Sequence, residues 1–300
     1  MTYLKTGIKI FAAMVDSASI RILWMFVLGL VLVSLTKVSY STEPSLNSAA
    51  ALPNETLKLP SEKPAILKRF QVGDDLFKQR RDGKKALAAL DFFRKELIQT
   101  PNDPEAMWRV AIVTYFLGNR KVVSDTDELK KLYTEGRDIS MKCLEVAPNY
   151  VPCHFWGAIN MVLYAETVGV VKMLFSLGKV REHLQRAIAL DPTFMGGGAY
   201  RLEATIEEKL PGILGGSYDR AREFYEKSIQ YGQQEPLNYF AYARLLLKEF
   251  QDSERALEVA RSGLEVDAPT PERIEAIDAI RDLKEFFRLY ARKPTEDSES

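Results

Sequence analysis

The sequence is poor in the residues that build metal centres and covalent catalytic sites. Its 300 residues include only two cysteines, Cys143 and Cys153, and two histidines, His154 and His183. No CxxC, HExxH or GxSxG pattern occurs, so the usual signatures of zinc ligands and of a serine nucleophile are missing. We therefore predict no metal site, no cofactor and no catalytic residues, and interpret the protein as non-enzymatic.

A net charge is also lacking, since Lys+Arg and Asp+Glu both number 41. A balanced chain has no overall electrostatic attraction for nucleic acid, and we expect no nucleic-acid partner. With 46% hydrophobic residues, the chain has the composition of a packed globular protein.

The third absence is the strict apolar–polar alternation of half-buried strands. From Ala65 onwards, apolar residues recur at helical spacing instead, which predicts an all-α fold. Similar phrases end several helices, and their prolines at 101, 148, 192 and 236 lie 47, 44 and 44 residues apart. The phrase resembles the tetratricopeptide repeat, whose period is about 34 residues, so the longer spacing indicates insertions.

Five helix pairs and a C-terminal capping helix account for residues 65–291. The predicted pairs are Leu67–Gln79 with Lys84–Gln99, Pro104–Leu117 with Asp127–Val146, Val151–Val168 with Gly178–Leu190, Ala199–Leu210 with Ser217–Tyr231, and Pro236–Phe250 with Asp252–Val266. The last helix, Pro271–Ala291, carries a single apolar stripe, as expected of a cap.

The N-terminal region, residues 1–37, reads as a signal or membrane anchor. Its apolar run Ile20–Thr36 is 17 residues long, which spans about 25 Å of a hydrocarbon core about 30 Å thick. Basic residues precede the run, so the rest of the chain is expected outside the cytoplasm. An uncleaved inner-membrane anchor and a cleaved signal both remain open. Residues 38–64 form a proline-containing flexible linker, and residues 292–300 form a polar tail.

The central segment resembles the T-component family of tripartite ATP-independent periplasmic (TRAP) transporters. The resemblance lies in "HFWGAINMVLYAE" (154–166), "REHLQRAIALDPTFMGGGAYR" (181–201) and "LPGILGGSYDRAREFYEKSI" (210–229). It implies a periplasmic repeat protein with a ligand-accommodating cleft that assembles with a solute-binding protein of the transporter. Family members are typically lipoproteins, whereas this chain has no cysteine after its apolar run. Self-association is left open.

A second, fainter resemblance is to the regulators of microtubule dynamics. It rests on "DELKKLYTEGRDISMKCLE" and "VREHLQRAIALDP" and implies a eukaryotic membrane protein with similar repeats. A general scaffold that recognises peptides in its grooves is a further alternative.

Six of the 17 glycines lie between Gly196 and Gly216, on both sides of one short helix. Gly196, Gly197 and Gly198 precede the helix start, where free N–H groups would favour an anion. The alternative is close helix packing.

If a cleft exists, we expect five residues to line it: Asn160, Tyr164, Glu166, Tyr200 and Arg201. Glu166 follows two apolar turns and needs either an ion-pair partner or a wet cleft. Arg181, Lys172 and Arg201 are the candidate partners.

Cys143 and Cys153 flank the turn at Pro148. Outside the cytoplasm they are able to form a disulfide, and the alternative is a pair of buried thiols.

Overall fold

The computed structural model describes residues 63–291, with side chains at 68–169 and 172–291. This part of the chain is all-α, with no β-strand among the described residues, which confirms the predicted fold class. It contains eleven α-helices: α1 Lys63–Lys78, α2 Gly83–Gln99, α3 Pro104–Asn119, α4 Thr126–Val146, α5 Val151–Val168, α6 Val170–Leu190, α7 Gly198–Lys209, α8 Tyr218–Tyr231, α9 Pro236–Leu245, α10 Ser253–Leu264 and α11 Ile274–Tyr290. The predicted N-terminal segment, most of the linker and the polar tail lie outside these residues.

Local sequence signals fix most helix ends. The side chains of Asp82, Asp103 and Asp125 each accept a hydrogen bond from a backbone N–H in the first turn of the following helix. Ser217 caps α8 in the same way. These side chains satisfy N–H groups that have no partner within the helix, and so they set where each helix begins.

The largest difference from the predicted bounds is at α6, which starts at Val170 and not at Gly178. A Cβ at Gly178 would meet nothing within 4 Å, so this glycine sits without strain on the exposed side of a continuous helix. The break comes at Gly169 instead, whose φ of 108° favours glycine.

The fifth pair is also shorter than predicted. Helix α9 ends at Leu245, and residues Leu246–Phe250 form one turn of π-helix before Gln251 reverses the chain with a left-handed backbone conformation. A π turn is a local insertion that the apolar periodicity does not reveal.

The helices pack as successive neighbours, and two pairs of first helices also contact each other, α3 with α5 and α7 with α9. The cores of successive pairs are built around Phe70 and Phe93, then Phe155 and Trp156, and finally Tyr225. Contact between α6 and α7 is sparser than between most other neighbours. The array therefore has a looser joint between its third and fourth pairs.

A disulfide joins Cys143, near the end of α4, to Cys153, at the start of α5. Both residues are fully buried, beside Met107 of α3. Of the two arrangements that the sequence left open, the structure therefore contains the disulfide. It closes a short loop around the turn at Pro148.

Helix α11 does more than cover the last pair. Its C-terminal half places Leu283 and Phe286 in the core of the fifth pair. At its other end, Ile274 belongs to the same buried cluster as Phe70 and Phe116 of the first two pairs. One helix therefore connects the last repeat to the first, which the prediction of a simple cap did not include.

Replacing both cysteines with alanine is expected to lower the free energy of unfolding by about 2–3 kcal/mol. The two cysteines are ten positions apart, and opening a loop of this size returns roughly that much chain entropy to the unfolded state. Urea unfolding of the oxidised wild type, the reduced wild type and the double variant would measure the effect. Equal midpoints for the two wild-type forms would contradict it.

Candidate functional site

Polar and aromatic side chains of α3, α4, α5 and α7 act on one another electrostatically, and we call the region that they share the inner groove. We define it by Tyr115 of α3, Tyr133 of α4, Glu166 of α5, and Arg201 and Lys209 of α7. Burial raises the pKa of Tyr133, and the charge of Glu166 raises it further. Burial also raises the pKa of Tyr115, whose hydroxyl is within electrostatic reach of Arg201. These interactions link residues from four helices.

Glu166 and Lys209 supply opposite charges to this surface. Both side chains are exposed to solvent. Desolvation nevertheless raises the pKa of Glu166, against the opposing charge of Lys209. Desolvation likewise lowers the pKa of Lys209, against Glu166 and Glu208. Neighbouring protein therefore displaces part of the water around both charged groups.

Of the predicted cleft residues, Glu166 and Arg201 belong to the inner groove as defined, and Tyr164 lies on α5 two residues before Glu166. The guanidinium carbon of Arg137 lies 4.2 Å from the centre of the Tyr164 ring, a cation–π contact. The opposite charge that acts on Glu166 is Lys209, and not Arg181, Lys172 or Arg201 as the sequence suggested. Arg201 donates a hydrogen bond of 2.5 Å to Asn238 Oδ1.

Asn160 does not line a cleft, because it is fully buried. Its Nδ2 donates to the carbonyl oxygens of Ala111 and Trp156, both at 2.9 Å, and its Oδ1 accepts from the hydroxyl of Thr114 at 3.2 Å. The amide therefore fastens α5 to α3. The sequence pattern placed it correctly on a polar face, but that face is turned towards a neighbouring helix.

Tyr200 is half-buried and stacks on Tyr231, with 5.1 Å between ring centres. This contact joins the start of α7 to the end of α8. It gives Tyr200 a packing role within the fourth pair, and its electrostatic neighbour is Tyr231.

The three glycines before α7 form a tight junction with the following helices. Gly196 and Gly197 have φ values of 60° and 71°. A Cβ at Gly197 would lie 2.5 Å from the carbonyl oxygen of Ser228. The side chain of Asn238 donates to the carbonyl oxygens of both Gly196 and Ser228, at 2.9 and 2.7 Å.

The N–H groups at this junction are already used. Those of Gly196 and Gly197 donate to the carbonyl oxygen of Thr193, and that of Gly198 donates to Phe194. The predicted anion site was based on these donors, and the structure assigns them to the turn itself. The close-packing alternative describes this segment.

We expect Gly197→Ala to lower the free energy of unfolding by about 1–3 kcal/mol, because it combines an unfavourable backbone conformation with a collision. Gly212→Ala is the matched control, since a Cβ there meets nothing within 4 Å and its φ is not in the left-handed region. Urea unfolding compares the two. A Gly197→Ala variant as stable as the control would contradict the packing role.

Sequence reasoning missed a buried ionic cluster between α6, α7 and α8. Glu203 and Glu207, one turn apart on α7, are each only 1% exposed. Glu207 accepts hydrogen bonds from Arg181 and Arg220, both at 2.7 Å. Neither carboxylate oxygen of Glu203 has a hydrogen-bond partner, and Arg181 lies 3.7 Å away. Two carboxylates at i and i+4 were the only signal in the sequence.

Burial raises the pKa of Glu203 to about 7, although Arg181 opposes the shift. The folded protein therefore holds a proton on Glu203 that the unfolded chain releases above its ordinary pKa of 4.5. Stability from this group is present below about pH 4.5 and is lost as the pH rises towards 7.

The variant Glu203→Gln is expected to remove this loss of stability. At pH 8 its free energy of unfolding should exceed that of the wild type by on the order of 2–3 kcal/mol. At pH 4.5 the two proteins should differ much less. Denaturant unfolding at both pH values gives the comparison. An identical pH dependence for the two proteins would show that Glu203 is ionised in the folded state.

A shallow depression of about 520 Å³ opens above the Glu207 cluster. Arg181, Glu207 and Arg220 supply its polar wall, and leucines supply the rest: Leu174, Leu177, Leu210 and Leu214. None of the five predicted cleft residues lines it. Both arginines already bind Glu207, so the depression has few polar groups left for a ligand.

His154 and His183 come together although they lie on different helices, which the sequence did not suggest. Their Nδ1 atoms are 3.1 Å apart, and His154 Nε2 is 2.9 Å from the carbonyl oxygen of Pro148. Burial lowers the pKa of both imidazoles. No group of three or more candidate metal ligands occurs among the described residues. The pair therefore has the geometry of a neutral hydrogen-bonded pair.

The described helices are not membrane spans. Within residues 63–291, no helix combines the length and the apolar character that a bilayer crossing requires. The predicted span Ile20–Thr36 lies outside the described residues.

Comparison with solved structures identifies the architecture. The protein TTC0263 of Thermus thermophilus, described as a thermophilic TPR protein, matches with a TM-score of 0.51 and 20% identity, over 71% of this chain and 99% of that one. The fold is that of a tetratricopeptide-repeat protein. The protein MamA matches with a TM-score of 0.43 and 17% identity over 69% of this chain and 97% of its own, a similarity too low to support an inference.

A sequence profile described as "Regulator of microtubule dynamics protein 1-3" matches residues 70–195, less than half of the chain. It corresponds to the second of the two resemblances, and these comparisons give no support to the transporter family. The matched segment ends at Met195, just before the glycine phrases on which the transporter resemblance depends. No curated protein sequence matched.

Proposed function

We propose that this protein is a non-enzymatic repeat scaffold that binds a partner protein in its inner groove and is held at a membrane by its N-terminal segment. The observation that carries the proposal is the tetratricopeptide-repeat fold, on which Glu166 of α5 and Lys209 of α7 present exposed groups of both charges. Such a surface suits a polar or charged peptide segment better than an apolar small molecule. Repeat arrays present their binding surfaces on their concave side.

The membrane system in which the protein works is a separate part of the proposal. The profile match supports a relationship to the regulators of microtubule dynamics, the alternative that the sequence offered. Association with TRAP-type solute uptake and with its solute-binding protein has only the sequence resemblance over residues 154–229 in its favour. We therefore favour the first setting, with the membrane contact supplied by Ile20–Thr36.

A small-ligand role has a narrower basis. The depression beside Glu207 combines leucine walls with Arg181 and Arg220. An anionic ligand there would have to compete with Glu207 for both guanidinium groups. Because of this competition, we favour binding of a partner protein over binding of a small ligand.

Site-specific photo-crosslinking tests the proposal in native membranes. A photoreactive phenylalanine analogue replaces Tyr164, two residues before Glu166 on α5, or, as a control, Lys142 on the exposed side of α4. We expect one defined adduct from position 164 and none from position 142, because only the groove faces a partner.

Charge reversal at the groove supplies the second arm. Adding Glu166→Lys and Lys209→Glu together should reduce the adduct at position 164 by about tenfold or more, since it inverts the pattern that the partner reads. Circular dichroism establishes that the variant is folded. Adducts of equal yield at positions 164 and 142 would remove the inner groove as the binding surface.

A further inference from the structure

The N-terminal half of α11 occupies part of the surface that a repeat array offers to its partners. Helix α11 packs along α9, the first helix of the fifth pair, and its first turn reaches the first two pairs. Glu275 of α11 also acts on the hydroxyl of Tyr115, at the edge of the inner groove. The protein therefore already contains a bound amphipathic helix.

Arg80 forms the centre of this contact. Its Nη2 donates to Glu275 Oε2 at 2.6 Å. Its guanidinium carbon lies 4.7 Å from the ring centre of Phe77 and 5.4 Å from that of Phe116. Two aromatic rings and a largely buried position hold the guanidinium in place. Its Nε is buried and has no hydrogen-bond partner.

Two further arginines form ion pairs with the next acidic side chain of the same helix. Arg120 donates to Asp278 Oδ2 at 2.7 Å, and Arg81 lies 3.8 Å from Asp278 Oδ1. Arg120 is also 3.8 Å from Glu275. Three arginines from the first two pairs thus face two carboxylates spaced three residues apart.

An apolar anchor precedes the acidic pair. Ile274 is 3% exposed and packs into the cluster that contains Phe70 and Phe116. The recognised pattern is therefore an apolar residue, a carboxylate directly after it, and a second carboxylate three positions later. Such spacing puts both charges on one side of a helix.

The two halves of α11 are held differently. The C-terminal half is fixed in the core of the fifth pair by Leu283 and Phe286. The N-terminal half is held by Ile274, two small alanines and the ion pairs, and its first turn has no side-chain cap. A connection without helix, residues 265–273, precedes it and is mostly exposed. Release of the N-terminal half leaves the C-terminal attachment in place.

We propose that the N-terminal half of α11 is an internal competitor, and that the Arg80–Arg81–Arg120 surface binds an acidic amphipathic helix of a partner protein that displaces it. This inference rests on the proposed scaffold function and adds the chemistry of the partner and its regulation. A segment with the apolar–acidic–x–x–acidic pattern of residues 274–278 is the expected partner. Binding is weak while α11 is in place and stronger once it is released.

The test uses the full chain and a fluorescein-labelled peptide of residues 272–291, with a scrambled peptide as reference. The variant Glu275→Gln with Asp278→Asn weakens the internal contact. The matched control, Asp282→Asn with Glu285→Gln, changes two carboxylates on the same helix whose ion pairs are with Arg281 and Arg288 of that helix.

Fluorescence anisotropy should show at least about tenfold tighter peptide binding by the first variant than by the wild type, and no change for the control. Adding Arg80→Gln or Arg120→Gln to the first variant should abolish the gain. Hydrogen exchange should increase over residues 274–281 and stay unchanged over 283–290, which also shows that each variant is folded.

Equal peptide affinity of the first variant and the wild type would overturn the proposal, and so would binding that survives both arginine substitutions. The crosslinking at Tyr164 reports partner binding independently of α11. A crosslink without peptide binding therefore removes only this inference, whereas peptide binding without a crosslink removes the groove around Glu166.

Discussion

Close approach of neighbouring helices is the constraint on which the array depends. Glycines lie where a side chain of the adjacent helix presses against the backbone: Gly118 faces Tyr133, Gly136 faces Asn160 and Thr114, and Gly263 faces Tyr239. A Cβ at any of these glycines would collide with its neighbour. Alanines occupy comparable buried positions along the array. Helices that approach this closely bury more apolar surface per residue. An isolated helix pair does not bury enough apolar surface to be stable, so the pairs depend on stacking.

The helices could be predicted from sequence because their limits are set by neighbouring residues. The capping aspartates and the prolines at 104 and 236 act on residues within three or four positions. The predicted first residues of α3, α5 and α9 are the observed ones. The prediction was wrong at the start of α6, where Gly178 was taken as the beginning of the helix. The space around Gly178 is open, and the helix continues through it. Only the packing reveals whether a glycine breaks a helix or is tolerated in it.

The candidate site was predictable only in part, because its contacts join distant segments. Glu166 was recognised as a carboxylate that needed explanation, but its neighbour Lys209 is 43 positions away. Asn160 was assigned to a cleft because a polar face on an apolar helix has two explanations, and the sequence does not distinguish them. The Glu203 cluster has only a spacing of two carboxylates as a local signal, and the paired histidines have none. Each depends on how separate helices come together: α6, α7 and α8 at Glu203 and Glu207, and α5 and α6 at the histidines.

The span of α11 from the last pair to the first changes the thermodynamic character of the array. In a linear stack each repeat contacts only its neighbours, so terminal repeats fray and internal duplications are tolerated. Here Ile274 gives the first repeat and the last a shared core. The first and last repeats therefore stabilise each other, and loss of either terminal repeat destabilises the opposite one. Such a chain has little freedom to gain or lose repeats during evolution, because any change in their number moves α11 away from its contact with the first two pairs.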